Sequence, residues 1–179
     1  MKKSEIRKKI IKLRKENYSK NLQIDFQSIL KILKKKRNIK KIVGGYYSYN
    51  YEVNVMPILE KFEKLKYKIS LPKIGENSSM NFYNWSTNDP LNVNKFGIPE
   101  PIINKIIYPD ILLVPLVAYD KNFNRIGYGG GFYDRYIQKI KKIKKVLTIG
   151  LAFSYQMVKK IPIEKNDIRL DFIITEKTK

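Results

Sequence analysis

Strands alternating with amphipathic helices predict an α/β protein, three layers thick around a mainly parallel central sheet. Three observations carry this expectation. Ile111-Leu112-Leu113-Val114-Pro115-Leu116-Val117-Ala118 is an unbroken apolar run, the pattern of a strand covered on both faces. Apolar residues recur at helical spacing in separate stretches along the chain, with candidate strands between most of them. A glycine cluster, Gly127-Tyr128-Gly129-Gly130-Gly131, joins the apolar run to the last helix. The length of 179 residues suits one domain spanning 1–179.

Each element follows from local pattern. Ile6, Ile10 and Leu13 place a basic amphipathic helix over Ser4 to Tyr18. Asp25 is a suitable cap for a second helix that buries Phe26, Ile29, Leu30 and Leu33. Residues 39 to 47 read as a buried strand leaving through Gly44-Gly45. Asn54 is positioned to cap a third helix, with Pro57 in its first turn and Ile58, Leu59, Phe62 and Leu65 inward. Lys68 to Leu71 is a short strand that Pro72 should stop. Another runs from Met80 to Trp85 with alternating faces. Residues 89 to 101, with a glycine and three prolines, read as irregular and form a candidate binding loop. After the glycine cluster, Phe132, Tyr136, Ile137, Ile140 and Ile143 mark a helix. Strand 146–153, a short helical turn around Gln156 and strand 172–175 close the chain.

The segment from Asp110 to Asp134 carries the chemistry. Strand, glycine loop and helix together aim backbone N–H groups and a positive helix terminus at a phosphate. Glycines permit positive φ and close approach of a ligand to the backbone. Arg125 adds a fixed cation, and Asp134 in the helix's first turn adds a carboxylate able to hold a metal. A nucleotide site is the natural reading, although the glycines spell neither GxxxxGK[ST] nor GxGxxG. The plainer alternative is a flexible turn between strand and helix. Asp120, Arg125, Tyr133, Asp134 and Arg135 around the glycines weigh against it.

Composition narrows the chemistry. With no cysteine and no histidine, disulfides, thiolate catalysis, zinc-thiolate sites and imidazole acid/base steps are all excluded. Any metal must be a hard cation held by carboxylates and phosphates, which suits Mg²⁺. No apolar run approaches the ~20 residues that span a bilayer, and the amino terminus is charged from Lys2. A cytoplasmic enzyme without membrane contact is expected. The net charge of +21 raises a rival reading, a basic nucleic-acid-binding protein. Lysines dominate, however, and are spread over several runs, including Lys34-Lys35-Lys36-Arg37 and 139 to 145. Specific base reading favours the planar fork of arginine, so the surplus reads as compositional drift plus a general pull on small anions.

The pattern Pro115-Leu116-Val117-Ala118-Tyr119-Asp120 followed by Arg125-Ile126-Gly127-Tyr128-Gly129-Gly130-Gly131-Phe132-Tyr133-Asp134 closely resembles the 5-formyltetrahydrofolate cyclo-ligase, or methenyltetrahydrofolate synthetase, family. Further resemblances run in order along the chain: Lys3-Ser4-Glu5-Ile6-Arg7, Tyr47 with Glu52-Val53, Phe96-Gly97-Ile98-Pro99-Glu100-Pro101, Gly150-Leu151-Ala152-Phe153 with Gln156, and Asn166-Asp167 with Leu170-Asp171. The resemblance implies a Rossmann-like sandwich akin to ribose-5-phosphate isomerase and CoA-transferase relatives. It implies cyclisation of 5-formyltetrahydrofolate, with or without a polyglutamate tail, to 5,10-methenyltetrahydrofolate. ATP and Mg²⁺ would be required, a phosphorylated formyl group would form, and ADP and phosphate would be released. Residues 3–7 and 125–133 are then expected to bind ATP, with Arg125 and Tyr133 catalytic. Tyr47, Glu52 and Phe96 would bind the folate, and Asp134 and Asp171 the Mg²⁺. Gly130 stands where the family typically carries Lys or Arg, a charge that nearby lysines would have to supply. A monomer is expected. Another enzyme of the same fold, a sugar-phosphate isomerase or acyl transferase, is the remaining alternative.

Overall fold

The computed structural model describes residues 1–19, 21–36, 40–76, 79–102 and 105–178. Arg37, the end of the basic run from Lys34, and Ile39, the expected start of the first strand, lie outside them. The observed elements begin with helices α1 (Lys3–Asn17) and α2 (Phe26–Lys35), then strand β1 (Ile42–Gly44), helix α3 (Met56–Lys64), and strands β2 (Lys68–Ile74) and β3 (Met80–Trp85). Strands β4 (Leu91–Val93), β5 (Pro99–Pro101), β6 (Ile111–Pro115), β7 (Ala118–Tyr119) and β8 (Arg125–Ile126) come next. Helix α4 (Phe132–Ile143), strand β9 (Leu147–Leu151), a single 3-10 turn at Ser154–Gln156 and strand β10 (Phe172–Ile174) complete the chain.

Six strands form the central sheet in the order β10-β9-β6-β1-β2-β3, parallel throughout except for the antiparallel β2–β3 edge. Alternation along β6 sorts its side chains between two cores. Ile111 and Leu113 join a cluster with Phe26, Ile29, Leu59 and Phe62 from α2 and α3. Leu112 and Val114 join Tyr136, Ile137 and Ile140 from α4. Helices therefore cover both faces, as the unbroken apolar run requires. Helix α1 stands apart from both, packing Ile6 and Ile10 on Val117, Ala118, Ile126 and Ile161.

This topology locates the crevice. The chain passes from β1 through α3 to β2 on one side, and from β6 through α4 to β9 on the other. Adjacent strands β1 and β6 are thus the point where the connections part, where open α/β sheets bind ligands beyond the strands' carboxyl ends.

Several local expectations need correction. Pro72 does not stop its strand; β2 continues to Ile74, with Pro72 opposite Phe82. The ring is tolerated because its nitrogen faces the side where β1 has already ended. Its neighbour Ile74 sends its own N–H that way, to Glu100 Oε1 at 2.9 Å. Residues 89–101 are not irregular but carry the β4–β5 hairpin, closed by Asn94 N–H to Ile98 O and by Gly97 at φ 76°. Between β6 and the glycines lies a β7–β8 hairpin. Its turn is tied by Asp120, whose Oδ1 accepts from the N–H groups of Asn122 and Asn124 and whose Oδ2 accepts from that of Ile161. The Asp25 cap is as expected, its side chain accepting from Gln27 N at 3.0 Å. Asn54 accepts from Met56 N at 3.2 Å, but it stands one residue before the N-cap of α3, which is Val55.

Candidate functional site

Beyond the carboxyl ends of β1, β2 and β6 opens a cleft of about 1340 Å³, lined there by Tyr46 just past β1, Pro72 and Ile74 of β2, and Pro115 at the end of β6. Single-ligand pockets usually enclose about 300–1,000 Å³, so this one has room for two bound molecules. Its walls come from the start of α1, the turn after β1, the β4–β5 hairpin, and the continuous stretch from Arg125 to Arg135.

The wall formed by residues 125–135 combines backbone donors with cations, an arrangement that suits an anion. Gly129 at φ 106° and Gly131 at φ 66° adopt backbone that residues with a Cβ resist. The glycine loop then delivers the chain into the amino terminus of α4, whose first-turn N–H groups have no helical partner. Arg7 reaches across from α1, with its Nε donating to Gly127 O at 2.8 Å. A Cβ at Gly129 would sit 3.4 Å from Arg7 Nη2, so loop and guanidinium are in close register. Arg135 donates to Gly130 O at 2.8 Å. The cation found beside Gly130 is thus an arginine of α4 rather than one of the expected lysines.

β8 presents Arg125, whose side chain is 4% exposed, to Asp134 in the first turn of α4. The Nη2–Oδ1 distance is 2.9 Å, and the same oxygen accepts from Ile168 N at 3.0 Å. Arg125 Nε and the Tyr133 hydroxyl, both belonging to residues that line the cleft, are buried without a hydrogen-bond partner among the described residues. Buried polar atoms are almost always satisfied; the hydroxyls of Tyr136 and Tyr155, which do not line the cleft, are left in the same state. Burial also raises the Tyr133 hydroxyl's pKa, with the nearby Glu52 charge adding to the effect, so this group is a proton donor rather than a phenolate.

Opposite lies the turn after β1. Asn50 and Tyr51 both have positive φ, 50° and 61°, a conformation that costs about 1–2 kcal/mol for a residue with a Cβ. Two groups hold it. Glu52 accepts from Tyr49 N at 2.9 Å, and Arg14 donates to Asn50 O through Nε at 3.1 Å and again through Nη2. Glu52 is 6% exposed. Burial pushes its carboxyl up to about 7, against the opposing pull of the Tyr49 N–H, the Arg14 charge and Tyr128. Phe96, half exposed at the tip of the β4–β5 hairpin, faces the same cleft. The hairpin is moored by buried Glu100, which accepts from Ile74 N and Asn94 Nδ2.

Of the residues singled out from sequence, Lys3, Ser4, Arg7, Tyr47, Glu52, Phe96 and everything from Arg125 to Asp134 meet in this one cleft. Three do not. Glu5 turns back to accept from Lys2 N at 2.9 Å, capping α1. Ile6 is buried in the core under α1, where its helical phase sends it. Asp171 accepts from the N–H and hydroxyl of Thr148 at 2.8 and 2.7 Å. It ties β9 near its amino end and does not line the cleft. Among the described residues no group of three or more acidic side chains could hold a metal. Lys3 lines the cleft but is engaged, its Nζ 2.5 Å from Asp167 and 3.3 Å from Glu164. Burial works against its charge, yet these two carboxylates hold its pKa above the usual lysine value.

Arg14 is the residue that sequence reading missed. It falls four residues after Ile10 and eight after Ile6, on the buried face of α1. An arginine at a position where the helical period calls for an apolar residue was the available signal.

Comparison with known proteins agrees with this geometry. Residues 1–176 match the profile of the 5-formyltetrahydrofolate cyclo-ligase family. The chain is 34% identical over 137 residues to 5-formyltetrahydrofolate cyclo-ligase of Haemophilus influenzae, covering 73% of each. It is 33% identical over 140 residues to that of Escherichia coli K12, covering 74% of this chain and 76% of the relative. Its fold superposes on 5,10-methenyltetrahydrofolate synthetase of Aquifex aeolicus with a TM-score of 0.74 at 31% identity, covering 99% of this chain and 91% of that one. On the Mycoplasma pneumoniae synthetase the TM-score is 0.72 at 25% identity, with 99% and 100% covered. The chain belongs to the 5-formyltetrahydrofolate cyclo-ligase family.

Proposed function

We propose that this chain is a 5-formyltetrahydrofolate cyclo-ligase that uses ATP and Mg²⁺ to make 5,10-methenyltetrahydrofolate, ADP and phosphate. The observation that carries the reading is the pairing of an anion-binding glycine wall with a buried carboxylate turn across one cleft large enough for two ligands. A formyl amide oxygen is a poor leaving group. Transfer of the γ-phosphoryl group to that oxygen converts it to a phosphate ester on an iminium carbon. N10 then attacks that carbon and gives up its proton, the ring closes, and phosphate departs with the former formyl oxygen and that proton.

The protein's task is to position the partners and neutralise spreading charge. The glycine loop's N–H groups and the start of α4 would hold the phosphates, with Arg7 and Arg125 beside them. Lys3 would exchange its carboxylate partners for phosphate oxygens. Tyr133, neutral and without a hydrogen-bond partner among the described residues, would donate a hydrogen bond to the reacting oxygens. Glu52 would accept from pterin N–H groups, with Tyr47 and Phe96 lining the ring. A divalent cation fits here only in the way Mg²⁺ is usually held, by one or two carboxylates plus phosphate oxygens. Asp134 would contribute the protein oxygen, and when bound the ion would offset charge on the transferring phosphoryl group. Cytoplasmic, monomeric action without nucleic-acid partners completes the reading; among the described residues no helix is long and apolar enough to cross a membrane.

The test is absorbance of the methenyl product from 5-formyltetrahydrofolate, with ATP and Mg²⁺ present or withheld. Formation only with both supports the reading. Formation without ATP, or none at all, overturns it.

A further inference from the structure

We propose that Arg14 is a positioning residue that clamps the Glu52 turn to the glycine loop and so sets the spacing between the folate and nucleotide ends of the cleft. This rests on the cyclo-ligase reading above. The guanidinium is fully buried, and among the described residues no carboxylate forms an ion pair with it. Its donors serve three different segments. Nε and Nη2 reach Asn50 O in the turn before Glu52, and Nη1 reaches Leu116 O just past β6 at 3.1 Å. Nη2 also bonds the hydroxyl of Tyr128 between the loop glycines. Tyr128 in turn packs edge-on against Tyr49, with ring centroids 6.2 Å apart.

A purely structural role does not account for this arrangement. A buried charge with no opposite charge in contact is expensive, and an apolar residue beside Ile6 and Ile10 would pack α1 more cheaply. The guanidinium instead supplies a rigid, planar set of donors whose directions fix where the three segments sit, which a lysine cannot do. The segments it joins are the two that carry opposite ends of the reaction. Its charge is also felt by Glu52, whose other neighbours among titratable groups are the tyrosine hydroxyls at 46, 128 and 133.

The test compares the parent with Arg14→Lys, Arg14→Met and Tyr128→Phe in turnover and in amide hydrogen exchange of the ligand-free chain. In Arg14→Lys, kcat per folded molecule should fall by roughly tenfold or more, with smaller changes in both KM values and the acid limb of the pH profile unmoved. In Arg14→Met the same loss should come with that limb shifted to higher pH, because a cation no longer favours ionised Glu52. Exchange across residues 46–52 should quicken in all three variants, including Tyr128→Phe, which removes the loop's hydroxyl contacts to Arg14 and to Tyr49 O together. If neither arginine variant folds, Tyr128→Phe decides the question through kcat and exchange together. Unchanged kcat per folded molecule, or unchanged exchange in residues 46–52, overturns the clamp. A parent that makes no methenyl product with ATP overturns the functional reading instead, and the exchange measurement still decides whether the clamp exists.

Discussion

Replacing Asp134 with asparagine should damage both stability and turnover. The carboxylate faces Arg125 at 2.9 Å, and the arginine side chain is only 4% exposed. Asparagine keeps the shape and one accepting oxygen for Ile168 N or for Arg125, but it removes the charge. Stranding one member of a fully buried pair costs about 3–5 kcal/mol. Asp134 retains 19% exposure and a hydrogen bond survives, so we expect about 2–3 kcal/mol. For a chain of this size that lowers Tm by about 4–12 °C. Turnover should fall by roughly a hundredfold even below the new Tm, since the amide offers a divalent cation no charge. Thermal melts and turnover at saturating Mg²⁺ on one preparation separate the two effects. Destabilisation with full turnover per folded molecule would confine Asp134 to balancing Arg125. An unchanged Tm would refute the reasoning about the pair itself.

Four further outcomes follow from the same geometry. Glu52 is protonated in the fold at pH values where the unfolded chain has released the proton, so stability should fall as pH rises from about 4.5 to about 7. Glu52→Gln should therefore melt higher than the parent at about pH 8, by an amount on the order of 2 kcal/mol, while binding 5-formyltetrahydrofolate more weakly; a lower melt would contradict the burial argument. Gly129→Val and Gly131→Val should each weaken ATP binding by at least about tenfold, because a β-branched residue resists φ of 106° and 66°; parental affinity in a calorimetric titration would remove the loop from the nucleotide site. Lys3→Ala should raise the KM for ATP by a few-fold with little change in Tm, since its ion pairs are near the surface and worth only ~1 kcal/mol or less; a large Tm loss with unchanged KM would make Lys3 a tether for Asp167. Duplex DNA binding should be weak, sequence-blind and nearly lost in moderate salt, while turnover persists, because contacts inside the cleft lie well within a Debye length of about 8 Å. Tight, sequence-selective DNA binding at physiological salt would revive the nucleic-acid reading.

Periodicity was sufficient where one interaction dominates. The apolar run from Ile111 to Ala118 reads as one doubly covered strand, which β6 is as far as Pro115 before the chain turns into β7. The 3.6-residue rhythm from Phe132 to Ile143 reads as a helix facing one core. It failed at the edges of the sheet. Pro72 breaks a strand only if its nitrogen faces a partner, and nothing local reveals that β1 ends first. The β4–β5 hairpin was hidden because its strands are three residues each and two of those six are proline. The site was legible as residue types on motifs, less so as placements. Ile6 and Glu5 sit within a functional stretch but face away from the cleft, as helical phase requires. Asp171 matched a motif, yet strand direction carries it to the amino end of β9 and away from Asp134. Arg14 was overlooked because its importance lies in three backbone and side-chain partners distant in sequence.

The most direct measurement follows the formyl oxygen. 5-Formyltetrahydrofolate carrying heavy oxygen in its formyl group is converted with unlabelled ATP in ordinary water, and the released inorganic phosphate is analysed by mass spectrometry. If the cleft directs the γ-phosphoryl group onto that oxygen, each phosphate released with methenyl product carries one heavy oxygen. Label appearing in water, with phosphate unlabelled, would contradict phosphoryl transfer to the formyl group as the step this cleft performs.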